Sequence, residues 1–275
     1  MKILILSDLH IGTEEKKGIF GWKRKKFIKL IEELKITYQI DKIILNGDVY
    51  EMYHHSFEEI KSYNSKLIQY FNNDEFVYIK GNHDALMDEG LENYQIINSA
   101  GKSIWIEHGH NADFMNGTGL GQAICRGFFK SLKVLMNWKP IEKMFHKIVA
   151  YNDQIDRVPR RYDRIKYLQY ALNLLKKHDM VILSHTHKLE EHKTWYVNQK
   201  KTYLNTGSCS LGRMQGILLD TETLKYKTIK INKDKNKIKS LRKPKVVEIM
   251  NEKWVENKFA SQKFVVELDN IVLKN

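Results

Sequence analysis

Only two cysteines occur in the 275 residues, Cys125 and Cys209, and they stand far apart with no metal or redox spacing around them. That leaves no disulfide framework and points to two reduced thiols in a cytosolic protein. Long apolar runs are missing as well. The longest aliphatic stretches, such as Ile3 to Leu6, are four residues, against the ~20 needed to cross a bilayer. Ser7 and Asp8 end the N-terminal apolar stretch too early for the core of an export signal, so a cytoplasmic location is expected. No internal repeat is visible. What is there, 42% hydrophobic and 29% charged residues, suits one large α/β domain or one domain carrying an insertion.

Acidic residues are in deficit, 33 against 46 Lys and Arg, and the net charge of +13 is unevenly placed. Residues 111–178 hold thirteen Lys/Arg against five Asp/Glu, and residues 232–245 seven against one, leaving the remainder close to neutral. The basicity thus belongs to two appendages. Anionic partners follow: a phosphorylated ligand, nucleic acid or an acidic membrane surface.

Lys2 to Leu6 reads as a buried strand ending at a polar tip, followed by Phe27, Leu30, Ile31 and Leu34 at helical spacing. Lys42 to Leu45 is a second strand, ending at Asn46-Gly47-Asp48, and Ile60, Leu67, Ile68 and Phe71 mark a second helix. Phe76 to Ile79 runs into Gly81-Asn82-His83-Asp84, and Ser103 to Ile106 into Glu107-His108-Gly109-His110. This spacing predicts βαβ units and a largely parallel sheet, whose site forms beyond the carboxyl ends of its strands. Residues 111–178 break the rhythm with helices predicted at about 122–138, 141–152 and 161–177, Pro140 standing at the first position of the second. Strands resume at Met180 to Leu183, Thr194 to Val197, Thr202 to Leu204, Gly216 to Leu219 and Lys225 to Ile231. Their close spacing predicts antiparallel pairing, in a second sheet or as an extension of the first. Two weaker strand-like pieces are Val246 to Met250 and Phe264 to Leu268. The expected organisation is a domain over 1–231 with a helical insertion at 111–178, then a basic connector and C-terminal extension over 232–275.

The strand ends offer two carboxylates (Asp8, Asp48), one amide (Asn82) and four imidazoles (His10, His108, His185, His187). Divalent cations of hard and borderline character want those donors. In Asp8-Leu9-His10 and His185-Thr186-His187 the paired residues are two apart, which on an extended backbone places both side chains on one side. Asp48, with two oxygens, is the candidate bridge. Two cations about 3.5–4 Å apart can polarise phosphoryl oxygens and lower the pKa of a bridging water.

In this order the motifs resemble those of the calcineurin-like metallophosphoesterases: Asp-x-His, Gly-Asp, Gly-Asn-His-Asp/Glu, a lone His and Gly-His-x-His. The match runs from residue 1 to about 220, with Ser184 in place of the last motif's usual Gly, a departure that touches no ligand. The resemblance implies a four-layer α-β-β-α sandwich within the α/β class. It implies that Asp8, His10, Asp48 and His187 bind one metal and Asp48, Asn82, His108 and His185 the other, with Mn preferred and Fe or Zn also suited. His83 is then no ligand; it faces the substrate and stabilises the transition state or protonates the leaving oxygen, with Asp84 holding its ring. By the same analogy His110 stands behind the ligands or faces the substrate. His54, His55, His146, His178 and His192 are read as surface or structural.

The substrate is narrowed only in part. Gly47-Asp48-Val49-Tyr50-Glu51-Met52-Tyr53 is similar to the Gly-Asp-x-Phe-Glu/Asp-x-Trp stretch of UDP-2,3-diacylglucosamine pyrophosphatases, and Tyr203-Leu204-Asn205-Thr206-Gly207-Ser208 to their segment after the last His motif. That branch also carries a helical cap over the acyl chains. In the insertion, Arg126, Lys130 and Lys133, then Lys139, Lys143 and Lys147, stand beside apolar rows, as in a helix that lies on an anionic membrane or a lipid-like substrate, or in an ordinary core-facing helix. Arg157, Arg160, Arg161 and Arg164 either clamp a phosphate or mark an exposed helix start. The resulting expectation is a phosphohydrolase cleaving a phosphodiester or pyrophosphate, on a nucleotide- or lipid-linked substrate, by attack of a metal-bridging hydroxide. A phosphomonoesterase or protein phosphatase is the alternative on the same core. A nuclease is disfavoured because the basic stretches lack interleaved aromatic platforms. A non-catalytic scaffold is disfavoured because every ligand is present.

Overall fold

In the computed structural model, which describes residues 1–13, 19–136, 138–154 and 164–232, core strands send alternate side chains to opposite faces, and each face meets a different partner. In β1 (Lys2–Leu6), Leu4 and Leu6 pack with Phe27, Ile31 and Leu34 of α1 (Arg24–Tyr38), whereas Ile3 and Ile5 face another sheet. β2 (Lys42–Asn46) repeats the pattern, with Ile43 and Leu45 toward the helices and Ile44 away from them. α2 (Phe57–Phe71) covers the same face through Ile60, Leu67, Ile68 and Phe71. Its start is set by a capping box: Ser56 Oγ accepts from Glu59 N at 3.2 Å, and Glu59 Oε2 accepts from Ser56 N at 2.8 Å. Mid-helix, buried Asn64 leaves helical geometry and donates to the Gly12 carbonyl at 2.8 Å, which ties α2 to the loop after β1.

β3 (Phe76–Ile79), β4 (Asn93–Ile97) and β5 (Ser103–Glu107) follow. After a short 3-10 turn come α3 (Phe114–Gly117), α4 (Gly119–Met136), α5 (Lys139–Gln154) and α6 (Arg164–Leu175). The chain continues as β6 (Met180–Leu183), β7 (Leu189–Tyr196), β8 (Gln199–Thr206), β9 (Arg213–Asp220) and β10 (Tyr226–Asn232). The first sheet has the order β10-β9-β1-β2-β3 and the second β4-β5-β6-β8-β7.

The expected parallel order holds for β1, β2 and β3, but both sheets are mixed: β5 belongs to the second sheet, and β6 is parallel to its neighbours where antiparallel pairing was expected. β1, β2 and β3 are parallel, but β9 runs antiparallel to β1, and β10 to β9. β6 is parallel to both β5 and β8, while β4 and β7 close the second sheet antiparallel. Strands after the helices therefore serve both sheets: β7 and β8 build the second, and β9 and β10 extend the first. Strand β4, with only half-buried or exposed residues, lacks the apolar pattern that would announce it. The helices begin or end within a few residues of expectation, and Pro140 lies in the first turn of α5, where its missing N–H costs nothing. The segments Val246–Met250 and Phe264–Leu268 and the Lys-rich stretch 233–245 lie outside the described residues.

Ile3, Ile5 and Ile44 of the first sheet meet Ile104, Ile106, Ile182 and Leu204 of the second, each fully buried and each contributing roughly 1.5–3 kcal/mol. On the far side, Val181, Leu183 and Tyr203 pack under Ala171, Leu172 and Leu175 of α6. The layers are therefore α1 and α2, the first sheet, the second sheet, and α6: the four-layer α-β-β-α sandwich of the α/β class. Of the segment expected as an insertion, α6 belongs to the sandwich itself. The apolar layer between the sheets holds the ends of β1, β2, β3, β5 and β6 side by side, and the polar residues gather there.

Candidate metal centre

Beyond the strands, the loops stay paired. Asp8 N donates to Gly47 O at 3.0 Å, His10 N to Asp48 O at 3.0 Å and Ile11 N to Val49 O at 2.9 Å, so the loops after β1 and β2 run on together. Ten non-glycine residues among those described have positive φ, and five of them are Asp8, His10, Asp48, His185 and His187. Such a conformation costs roughly 1–3 kcal/mol at each position and persists only where surroundings enforce it. This corrects the extended-backbone reading of the two x-separated pairs. Their side chains converge because both members are left-handed, with φ 51° and 49° in the first pair and 67° and 59° in the second.

Three overlapping donor groups result among the described residues: His10, Asp48 and His83 lie between two others. Asp8, His10 and His187 form one: His187 Nε2 lies 3.1 Å from Asp8 Oδ1 and 3.3 Å from His10 Nε2. Those spacings match the ~3.3 Å expected between ligands bound tetrahedrally at ~2.0–2.1 Å. Asp48, His108 and His185 form the other, with His108 Nε2 3.2 Å from Asp48 Oδ2. Asp48 joins the two. Its Oδ1 accepts from His83 N at 2.8 Å, while Oδ2 faces His108 and also lies 4.0 Å from His10 Nε2. Asn82 enters beside it: its Nδ2 donates to Tyr53 Oη at 3.2 Å and Asn116 Oδ1 at 3.4 Å, and its Oδ1 is a buried acceptor with no hydrogen bond among the described residues. A buried spare carbonyl, two carboxylates and four imidazoles fit a pair of divalent ions of the Mn, Fe or Zn type.

Two glycines are required by this approach. A Cβ on Gly47 would stand 2.3 Å from His108 Nδ1, and one on Gly81 2.2 Å from Asp48 Oδ1.

The charges follow the geometry. Burial would raise Asp48, but His108 and His83 hold its carboxyl well below the usual range, and His187 does the same, more weakly, for Asp8. Against the opposing effect of burial, the hydrogen bond to Glu51 draws His10 up to about 9, and Asp48 draws His108 up to about 10. The carboxylates favour positive charge here, and a bound divalent ion would replace those protons. His185, held well below its ordinary value by burial and then by His108, is a neutral donor.

Residues 1–189 match the calcineurin-like phosphoesterase family. The chain belongs to that family. Among solved structures the phosphoesterase is similar to a hypothetical protein from Pyrococcus horikoshii OT3 (15% identity, 97% of this chain and 95% of that one, TM-score 0.41). It is also similar to a dimetal phosphatase from Danio rerio (8%, 85% and 93%, 0.44) and a 5'-nucleotidase from Candida albicans SC5314 (10%, 94% and 57%, 0.44). Comparison with curated proteins finds no match.

Within the phosphoesterase, Asp84 and His83 divide their roles differently from expectation. Asp84 does not hold the His83 ring. Its carboxylate accepts the backbone N–H groups of Gly81 (2.6 Å), Val49 (2.7 Å), Tyr50 (3.2 Å) and Asp48 (3.3 Å), so it clamps the loops after β2 and β3 together. The ring is held by Glu51, which sequence reasoning had placed in a motif without giving it a role. Glu51 Oε1 takes His83 Nδ1 at 2.8 Å and Oε2 takes His10 Nδ1 at 2.9 Å. Burial would raise Glu51, but the two imidazoles keep it well below the carboxylate range, so it is ionised and accepts from both. Each Nε2 is thereby turned toward Asp48 Oδ2, at 4.0 Å. His10 is buried within reach of His187, whereas the His83 side chain keeps 18% exposure and packs at a tilt of 34° against Tyr53, ring centroids 4.1 Å apart.

His110 is buried with its ring 5.5 Å from that of His108, and burial followed by His108 pushes it down to about 4; it backs the second group without joining it. His178 donates to or accepts from Ser103 at 2.8 Å and stacks on Trp105, and His192 stacks on Tyr203, both away from the centre. Arg157, Arg160 and Arg161 lie outside the described residues, and Arg164 opens α6. Among the described residues, no helix is long and apolar enough to cross a membrane.

Proposed function

We propose that this dinuclear phosphohydrolase cleaves a phosphodiester or pyrophosphate bond in a nucleotide- or lipid-linked substrate, with Mn as its preferred metal. The observation that carries the reading is Asp48, whose carboxylate joins the two donor groups while the partly exposed His83 flanks it. When bound, the ions polarise the phosphoryl group and activate water. The chain's own work is positional: Asp48 sets the spacing of the two groups, Glu51 fixes the His10 and His83 rings, and His83 Nε2 serves the phosphoryl or leaving oxygen.

Two features support an apolar moiety on the substrate. Asn116 of α3 reaches Asn82, so the helices between β5 and α6 begin at the centre. Leu120, Ile124 and Phe128 then form an exposed row on α4, and Met144 and Ile148 are exposed on α5 beside the exposed Lys143 and Lys147. That combination of apolar rows and lysines suits an anionic amphiphile or peripheral contact with an anionic membrane.

The test is turnover of bis(p-nitrophenyl) phosphate, p-nitrophenyl phosphate and a nucleoside-diphosphate ester, with and without Mn²⁺. Metal-dependent cleavage of the diester or pyrophosphate in preference to the monoester is expected. A preference for the monoester would replace this reading with a phosphomonoesterase, and no metal-dependent turnover would refute it.

A further inference from the structure

Behind the ligands lies a chain of buried hydrogen bonds with no exposed member. Ser7 Oγ stands 2.5 Å from Asp8 Oδ2 and 2.6 Å from Thr206 Oγ1; Thr206 Oγ1 is 2.8 Å from Ser184 Oγ; and Asn46 Nδ2 donates to Ser184 Oγ at 2.7 Å. On the same Asn46, the backbone carbonyl accepts from His108 Nδ1 at 2.9 Å. Ser7, Asn46, Thr206 and Ser184 are at most 1% exposed. The chain thus joins Asp8, in the first donor group, to His108 of the second, and it crosses between the sheets three times to do so.

The direction of every bond is fixed by its ends. An ionised carboxylate only accepts, so Ser7 gives its single proton to Asp8 and must accept from Thr206. Thr206 then accepts from Ser184, whose oxygen is left to accept from the Asn46 amide. All the O–H and N–H dipoles point toward Asp8, an arrangement in which each bond strengthens the next. The result engages Asp8 Oδ2 and leaves Oδ1 facing His187, and it holds Asn46 where its carbonyl keeps His108 Nδ1 occupied and Nε2 turned to Asp48.

We infer that Ser184 is a positioning residue of the metal centre: its hydroxyl closes the buried chain that sets the ligand atoms of Asp8 and His108 toward a pair of ions. The proposal rests on the two-ion reading above. A glycine there, the residue its motif usually carries, would cut the chain at its middle link. The substitution that looked neutral because it touches no ligand is therefore the one that joins the two halves.

The experiment is Mn²⁺ titration by calorimetry on the full chain and on Ser184→Ala, Thr206→Val, Thr206→Ser and the Ser184→Ala/Thr206→Val double variant. Residues that orient ligands typically change metal affinity by about 10–100-fold when removed. Ser184→Ala and the near-isosteric Thr206→Val should each weaken Mn²⁺ binding by about that factor, and turnover at saturating Mn²⁺ should recover. Thr206→Ser keeps a hydroxyl and should bind like the unchanged chain. Because both deletions break one chain, the double variant should be no weaker than the worse single one. Unchanged affinity in Ser184→Ala and Thr206→Val, even with lowered thermal stability, would overturn the proposal, as would losses that add. If the unchanged chain bound no Mn²⁺, the two-ion reading would fall first and this inference with it.

Discussion

The first sheet brings to the metal centre both carboxylates, the amide and one imidazole, on the loops after β1, β2 and β3; the second brings imidazoles alone, His108, His185 and His187, after β5 and β6. The acidic half is also the more tightly clamped, through the Asp84 carboxylate and the shared Glu51. The negative charge is thus built into one sheet, and the other closes over it with imidazoles alone. The centre exists only where the sheets are docked, so the apolar layer between them holds together the same two parts that bound ions would join.

The sharpest way to break this asymmetry is to remove the bridge. Asp48→Asn keeps the shape and loses the charge shared by both groups; turnover should fall on the order of 10³-fold, corresponding to about 4 kcal/mol, and bound metal should drop below two ions. Retention of two ions and normal turnover would show that Asp48 does not bridge. Asp84→Ala should cost stability on the order of 3 kcal/mol by urea unfolding, since it strands buried N–H groups of Gly81, Val49 and Tyr50. A loss below 1 kcal/mol would contradict the clamp. Glu51→Gln should lower Mn²⁺ affinity and turnover by about 10–100-fold, because His10 and His83 both lose their anchor.

Acidity separates the halves in a different way. His10 and His108 are raised from 6.5 to about 9 and about 10. A raised histidine stabilises the fold below its unfolded pKa, and that contribution fades as pH climbs through the folded value. Metal-free protein should therefore lose stability between about pH 6.5 and 10, while Mn²⁺ affinity rises over the same window as protons leave. The lowered Asp8 and Asp48 act on the acid side instead, stabilising above the ordinary carboxylate range and ceasing to as pH falls. Urea unfolding of chelator-treated protein and calorimetry at pH 6.5 and 8.5 would check both signs. The smallest effect is expected far from the bridge: Phe128→Ser on exposed α4 should leave stability within about 0.5 kcal/mol and Mn²⁺ affinity unchanged, and raise only the KM for an amphiphilic substrate.

Much of the centre was legible because the residues that gather there are polar ones placed just past the ends of buried strands. Asp8, Asp48, Asn82, His108 and His185 each stand within three residues of the end of an apolar run, and that brings them to one edge. Residue type does not announce left-handed backbone at Asp8 or His185, so the convergence of the paired ligands was attributed to the wrong conformation. Side-chain partners were harder still. Asp84 follows His83 directly but turns to backbone amides, while Glu51, on the loop of another strand, reaches the ring; only the folded path of the two loops decides between them. Sheet membership was hidden for a related reason, since β9 pairs with β1 across nearly the whole chain and β10 follows on β9. Ser184 was visible only as a departure, and its meaning required Thr206 and Asn46 beside it.

The most direct test of the central claim is anomalous diffraction from crystals grown with Mn²⁺. Two ions about 3.5–4 Å apart, both bonded to Asp48 and with Asp8 and His108 on opposite ions, are the expected result. A single ion, or a pair in which Asp48 serves only one, would contradict it.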